Sequence, residues 1–177
     1  MRDLSDTSQS KFEIQKSPLR DAYRLLGARS PVQLSNLYVA EDQRMMATGG
    51  WDYNNSALIV NKVKTILEAT DQNTLTPDEK DWREEILWFW YQHAINCAIW
   101  THRDKAAAQE FSERALRHQS DDHPNKITKL LYYLTRDKVQ EAEQWAGTIG
   151  EEVEKTTAAK LLDDYKAGLF FATNTST

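Results

Sequence analysis

The sequence predicts an all-α fold of about eight helices, and three observations carry that prediction. First, all four prolines stand where a helix would begin. Ser17-Pro18, Ser30-Pro31 and Thr76-Pro77 each place a capping hydroxyl before the proline, and His123-Pro124 is a weaker start of the same kind. Proline suits the first helical position because the N–H it lacks would have had no intrahelical partner there. Second, apolar residues recur at helical spacing. Third, no segment sustains the period-two alternation of a half-buried strand, and β-branched clusters are scarce.

The expected helices run over about 18–26, 31–47, 55–70, 77–101, 104–119, 124–134, 137–147 and 150–171. Gly27 follows the first, Gly49-Gly50 the second, and Gly147 ends the seventh. Thr76-Pro77-Asp78-Glu79 is a capping box, with Glu79 three residues after the cap. Along 77–101, Trp82, Ile86, Leu87, Trp88, Phe89, Trp90, Tyr91, Ile95, Ala98, Ile99 and Trp100 cover nearly the whole circumference. A helix apolar all round is expected at the buried centre of its domain. Four of the six tryptophans fall on it, so one or two rings left exposed would be ready interface anchors. The last helix carries Val153, Leu161, Leu162, Tyr165 and Leu169 on one stripe, and Glu151 and Glu152 in its first turn complement its dipole. This helix is expected to cover the hairpin formed by 124–147.

The domain reading is a flexible arm over residues 1–16, one helical domain over 17–172 and a frayed tail over 173–177. Phe12 and Ile14 are the sizeable apolar residues of the arm after Leu4, and would order it against a partner. Apolar residues make up 40 % of the chain and charged ones 28 %, which places it among globular proteins. With one cysteine, Cys97, no intrachain disulfide can form, and a reducing cytoplasm is the expected compartment. Met1 to Ser10 lacks the apolar stretch of a signal peptide. The run Ile86–Trp100 is too short to span a bilayer and carries Gln92, His93 and Asn96. A net charge of −5 with no long basic block argues against nucleic acid or an anionic membrane as the main partner.

The sequence also resembles itself at a fixed offset. Arg103-Asp104-Lys105 recurs as Arg136-Asp137-Lys138, an offset of 33, with Trp100 against Tyr133 and Glu110 against Glu143. With a one-residue slip, Ala108 matches Ala142 and Phe111 matches Trp145. Each copy reads as helix, tight polar turn, helix. Over about residues 81–147 this resembles the tetratricopeptide repeats, whose period is 33 to 34 residues. The resemblance implies close helix packing at Ala108 and Ala115, Phe111 filling the space between hairpins, and a role in binding other proteins. An irregular helical bundle is the other architecture open to these residues.

The sequence carries no catalytic, cofactor or metal motif. His-Glu-x-x-His, a Gly-x-Ser-x-Gly elbow and a phosphate loop are all absent, Gly49-Gly50 lacking the Gly-Lys-Ser/Thr ending. His93 and Cys97 stand four apart on one helical face, but two ligands do not make a metal site. Asp121-Asp122-His123 reads as a solvated turn. The expectation is a non-catalytic adaptor or regulatory module that binds another protein through Trp51, Tyr53, Tyr132 and Trp145, with Phe12 and Ile14 from the arm. Trp51 and Tyr53 lie in a connecting segment, where function concentrates, although such a loop can also tuck onto the core. The alternative is a nucleic-acid-binding regulator that uses a helix-turn-helix-like segment at 20–37. There Arg20, Arg24 and Arg29 would meet phosphates, while Gln33, with Ser35 and Asn36, would meet base edges. Ala40-Glu41-Asp42 then makes the second helix acidic where phosphates would lie.

Overall fold

The computed structural model describes residues 13–119 and 125–173. Among them there is no strand. A helical turn at 13–16 precedes α1 (Arg20–Leu26), α2 (Pro31–Ala47), α3 (Ile59–Ala69), a 3₁₀ turn (Gln72–Thr74), α4 (Pro77–Trp100), α5 (Lys105–Arg117), α6 (Lys126–Leu134), α7 (Val139–Ala146) and α8 (Glu152–Lys166). The chain forms two compact units, divided between Trp90 and Tyr91, inside α4.

The caps explain most boundaries. Ser30 accepts the Gln33 amide at 3.2 Å and starts α2 with Pro31 in its first turn. The capping box of α4 closes both ways, Glu79 N–H to Thr76 Oγ1 at 3.2 Å and Thr76 N–H to Glu79 Oε1 at 3.3 Å. Ser17 begins no helix. Its Oγ accepts the Leu19 amide and donates to Glu79 Oε2 at 2.5 Å, so α1 starts only at Arg20. Helix α3 starts at Ile59, four residues after the expected position. Asp52 and Asn55 accept the amides of Asn54 and Ala57, and these side-chain turns displace the helix. Gly27 at φ +68° and Gly49 at φ +70° close α1 and α2. The next amides, Ala28 and Gly50, reach back five residues to Tyr23 and Met45. His123-Pro124 lies outside the described residues, and Asn125 caps α6 instead.

In the unit up to Trp90, α1 packs on α2 and α3, and α2 on α3. Leu19, Leu34, Val60, Val63, Leu67, Ile86 and Leu87 are fully buried. Asn61 and Arg83 are two of the polar residues buried in this unit. Asn61 donates to the carbonyls of Asp52 and Asn55 and accepts from Trp90 Nε1. Arg83, only 5 % exposed, donates through Nε to the Leu67 carbonyl, the last turn of α3. Buried polar groups of this kind are tolerated because they are hydrogen-bonded.

In the unit from Tyr91, α6 packs against α5, α7 and α8, and α8 also touches α7, so the last helix does lie on the α6–α7 hairpin. The expected stripe is only partly right. Ala158 and Phe170 are buried and Leu161, Leu162 and Tyr165 half-buried, whereas Val153 and Leu169 are exposed at 72 % and 46 %. The helix also ends at Lys166, before the expected 171. Gly168 at φ +73° turns the chain so that Phe170 meets the edges of Trp100 and Tyr165, at 5.2 and 5.5 Å between centroids.

Two turns in this unit share a feature. Arg103 and Asp137, 34 residues apart, both have positive φ, +54° and +59°. Thr101 and Thr135 each donate an amide four residues back, to Cys97 and Leu131. The two Arg-Asp-Lys triplets are therefore one residue out of phase in space. Asp104 caps α5 by accepting the Ala107 amide, whereas Asp137 is the left-handed residue of its turn.

Candidate functional site

The sequence singled out aromatic residues, and the fold treats them unequally. Trp51 is 7 % exposed. Its Nε1–H donates to the buried Asp42 carboxylate at 2.9 Å, and its ring leans on Trp90 at 5.7 Å. Trp51 is thus tucked onto the core of its unit, with Tyr53 half-buried and Asn54 and Asn55 exposed. Deep burial, and after it the charge of the same Asp42, pushes the Tyr38 hydroxyl well above its ordinary pKa. Phe12 lies outside the described residues, and Ile14 is half-buried in the turn at 13–16.

Tyr132 and Trp145 are half-buried and stand on the α6–α7 hairpin, each under a cation. The Arg136 guanidinium sits 3.8 Å from the Tyr132 ring centroid. It is held there by the Gln109 and Tyr132 carbonyls, Ser112 Oγ and a 3.5 Å approach to Glu113. Lys129 Nζ lies 4.4 Å from the Trp145 ring and 6.0 Å from that of Tyr133, a neighbour the sequence reading did not single out. Tyr133 is one helical turn beyond Lys129, and that i, i+4 spacing was the available signal. Trp145 Nε1–H donates to the Lys126 carbonyl at 2.8 Å, so the indole cannot swing away. The result is a preset row of half-exposed rings with cations over their faces, at the ring-to-cation separations typical of attractive cation–π contacts.

Asp137, in the turn between α6 and α7, joins three elements. Its carboxylate pairs with Lys105 of α5 and accepts the Tyr165 hydroxyl of α8 at 2.6 Å. Those two hydrogen bonds hold the Asp137 carboxyl below its usual range, and burial with the Asp137 contact raises Tyr165 to about 12.

Around α1 the fold brings Arg20, Arg24 and Arg29 to one concavity of about 440 Å³, lined also by Ile14, Gln15, Tyr23 and Ala28. Gln33 is not among the residues lining it. Its Oε1 accepts the Arg29 amide at 2.9 Å, completing the start of α2. The Tyr23 hydroxyl donates to Glu79 at 3.2 Å, and burial first, then that carboxylate, pushes it far above its ordinary pKa. Cys97 is buried within α4.

Comparison with protein-family models, curated proteins and solved structures finds no match for this chain. Among the described residues, no helix is long and apolar enough to cross a membrane.

Proposed function

We propose that this chain is a non-catalytic protein-binding module, an adaptor or regulatory protein, whose partner docks on the aromatic and cationic row of the α6–α7 hairpin. The observation that carries the reading is the preset exposure of Tyr132, Tyr133 and Trp145 beneath Arg136 and Lys129. Tyrosine, tryptophan and arginine are the residue types that dominate binding energy at protein interfaces. Rings already fixed by Arg136 and the Lys126 carbonyl lose little freedom on binding, which favours affinity. The tetratricopeptide-like part of the reading is supported by the two positive-φ turns 34 residues apart and by the small buried Ala108, Ala115 and Ala142.

Affinity capture from the native cell tests this, comparing wild type with Tyr132→Ala, Trp145→Ala and Lys129→Glu. The expected result is at least one partner retained by wild type and lost with all three variants, with helical content unchanged. Capture of every partner by all three folded variants would show that the row is not the docking face.

A further inference from the structure

The concavity around α1 has a chemistry that the protein-binding reading does not use. The chain as a whole is acidic, at −5, yet residues 14–30 carry Lys16, Arg20, Arg24 and Arg29 against Asp21 alone. The fold gathers that charge. Of the residues lining the concavity, three are arginines and none is acidic. Arg20 and Arg24 stand one helical turn apart on α1. The left-handed Gly27 then reverses the chain and returns Arg29 to the same hollow. Asp21 lies 4.0 Å from Arg20 Nε and 3.8 Å from Arg24 Nη1, too far for strong pairing, and both arginines are mostly exposed. The Arg29 guanidinium has no ion pair or hydrogen bond among the described residues.

Three further features describe the occupant. The lining arginines together with Asp21 leave a charge of about +2, which a phosphate monoester at neutral pH matches and a carboxylate does not. Guanidinium groups present the forked donors that phosphate oxygens accept. The hollow also has an apolar side made by the half-buried Ile14 with the buried Ala28 and Tyr23. The Tyr23 hydroxyl is turned to Glu79, which is itself engaged by Ser17 and the Thr76 amide. Tyr23, 2 % exposed, therefore adds no free hydroxyl to the hollow. A volume of about 440 Å³ lies in the range of small-molecule sites.

We propose that this concavity binds a small organic phosphate monoester, its phosphate held by Arg20, Arg24 and Arg29 and its organic part against Ile14, Tyr23 and Ala28. The site shares no residue with the α6–α7 row, so either assignment can fail without the other.

The test titrates the full chain with phenyl phosphate, inorganic phosphate, benzoate and a short DNA duplex, reading amide shifts and calorimetric heats. Phenyl phosphate should saturate, with the largest shifts at residues 14–33, and should bind more tightly than inorganic phosphate or benzoate. Arg24→Gln and Arg29→Gln should each weaken it by about tenfold, the order expected for losing a charge-assisted contact. Both positions are exposed, so the variants should melt like wild type, and Arg44→Gln, outside the hollow, should bind normally. Absence of saturation, or equal binding by the Arg24, Arg29 and Arg44 variants, would overturn the assignment. So would inorganic phosphate binding as tightly as phenyl phosphate. Displacement of phenyl phosphate by the duplex, with a salt dependence of several counterions, would overturn it in favour of nucleic acid.

Discussion

Replacing Asn61 by alanine should destabilise the protein by about 2–5 kcal/mol, and the figure follows from three hydrogen bonds. Asn61 is 6 % exposed on α3. Its amide nitrogen donates to the carbonyls of Asp52 at 2.9 Å and Asn55 at 2.5 Å, and its oxygen accepts from Trp90 Nε1 at 2.8 Å. Alanine leaves the indole N–H of Trp90, a residue 3 % exposed, without this acceptor, at a cost of about 1–3 kcal/mol. The two carbonyls belong to a partly exposed loop that water can reach, so each lost bond adds only about 0.5–1 kcal/mol. Asn61→Asp should be worse at neutral pH, since a carboxylate oxygen would then face two carbonyl oxygens. Urea unfolding followed by tryptophan fluorescence measures all of this. A double-mutant cycle with Trp90→Phe isolates the indole bond, with an expected coupling of about 1 kcal/mol. A loss below about 0.5 kcal/mol in Asn61→Ala, with no coupling to Trp90, would refute the view that this amide holds the loop to the helices.

Other perturbations follow from the unit beginning at Tyr91. Because Tyr165 is raised to about 12, its contribution is fully present below the ordinary tyrosine pKa of about 10. That contribution is lost as pH rises from about 10 through 12, and Tyr165→Phe should remove this alkaline step in urea melts collected across that range. The lowered Asp137 pKa works in the opposite window, its contribution fading as pH falls below the ordinary carboxylate range, and Tyr165→Phe should move the Asp137 NMR titration upward. Phe170→Ala should cost about 3 kcal/mol by emptying the space between Trp100 and Tyr165, read as a lower urea midpoint. Deleting 150–177 should bare the α6–α7 hairpin and cause self-association in sedimentation; a stable monomer would refute the covering role of α8.

What the sequence determined by itself was the helical class and most of the helix starts, because caps are local. Ser30-Pro31 and the Thr76-to-Glu79 box act on amides within three residues, so their outcome needs no knowledge of the rest of the chain. Ser17-Pro18 has the same local signal and no helix starts there, since its hydroxyl is drawn to Glu79, 62 residues away. The candidate sites divided along the same line. Which aromatics exist was plain, but exposure depends on distant neighbours. Trp51 turned inward because Asp42 and Trp90 receive it, while Tyr132 and Trp145 stayed half-exposed under cations supplied by their own hairpin. The arginines at 20, 24 and 29 were legible as separate charges. Only the reversal at Gly27 and the packing of α1 on α2 and α3 made them the rim of one hollow, because tertiary contacts decide which way a short helix faces.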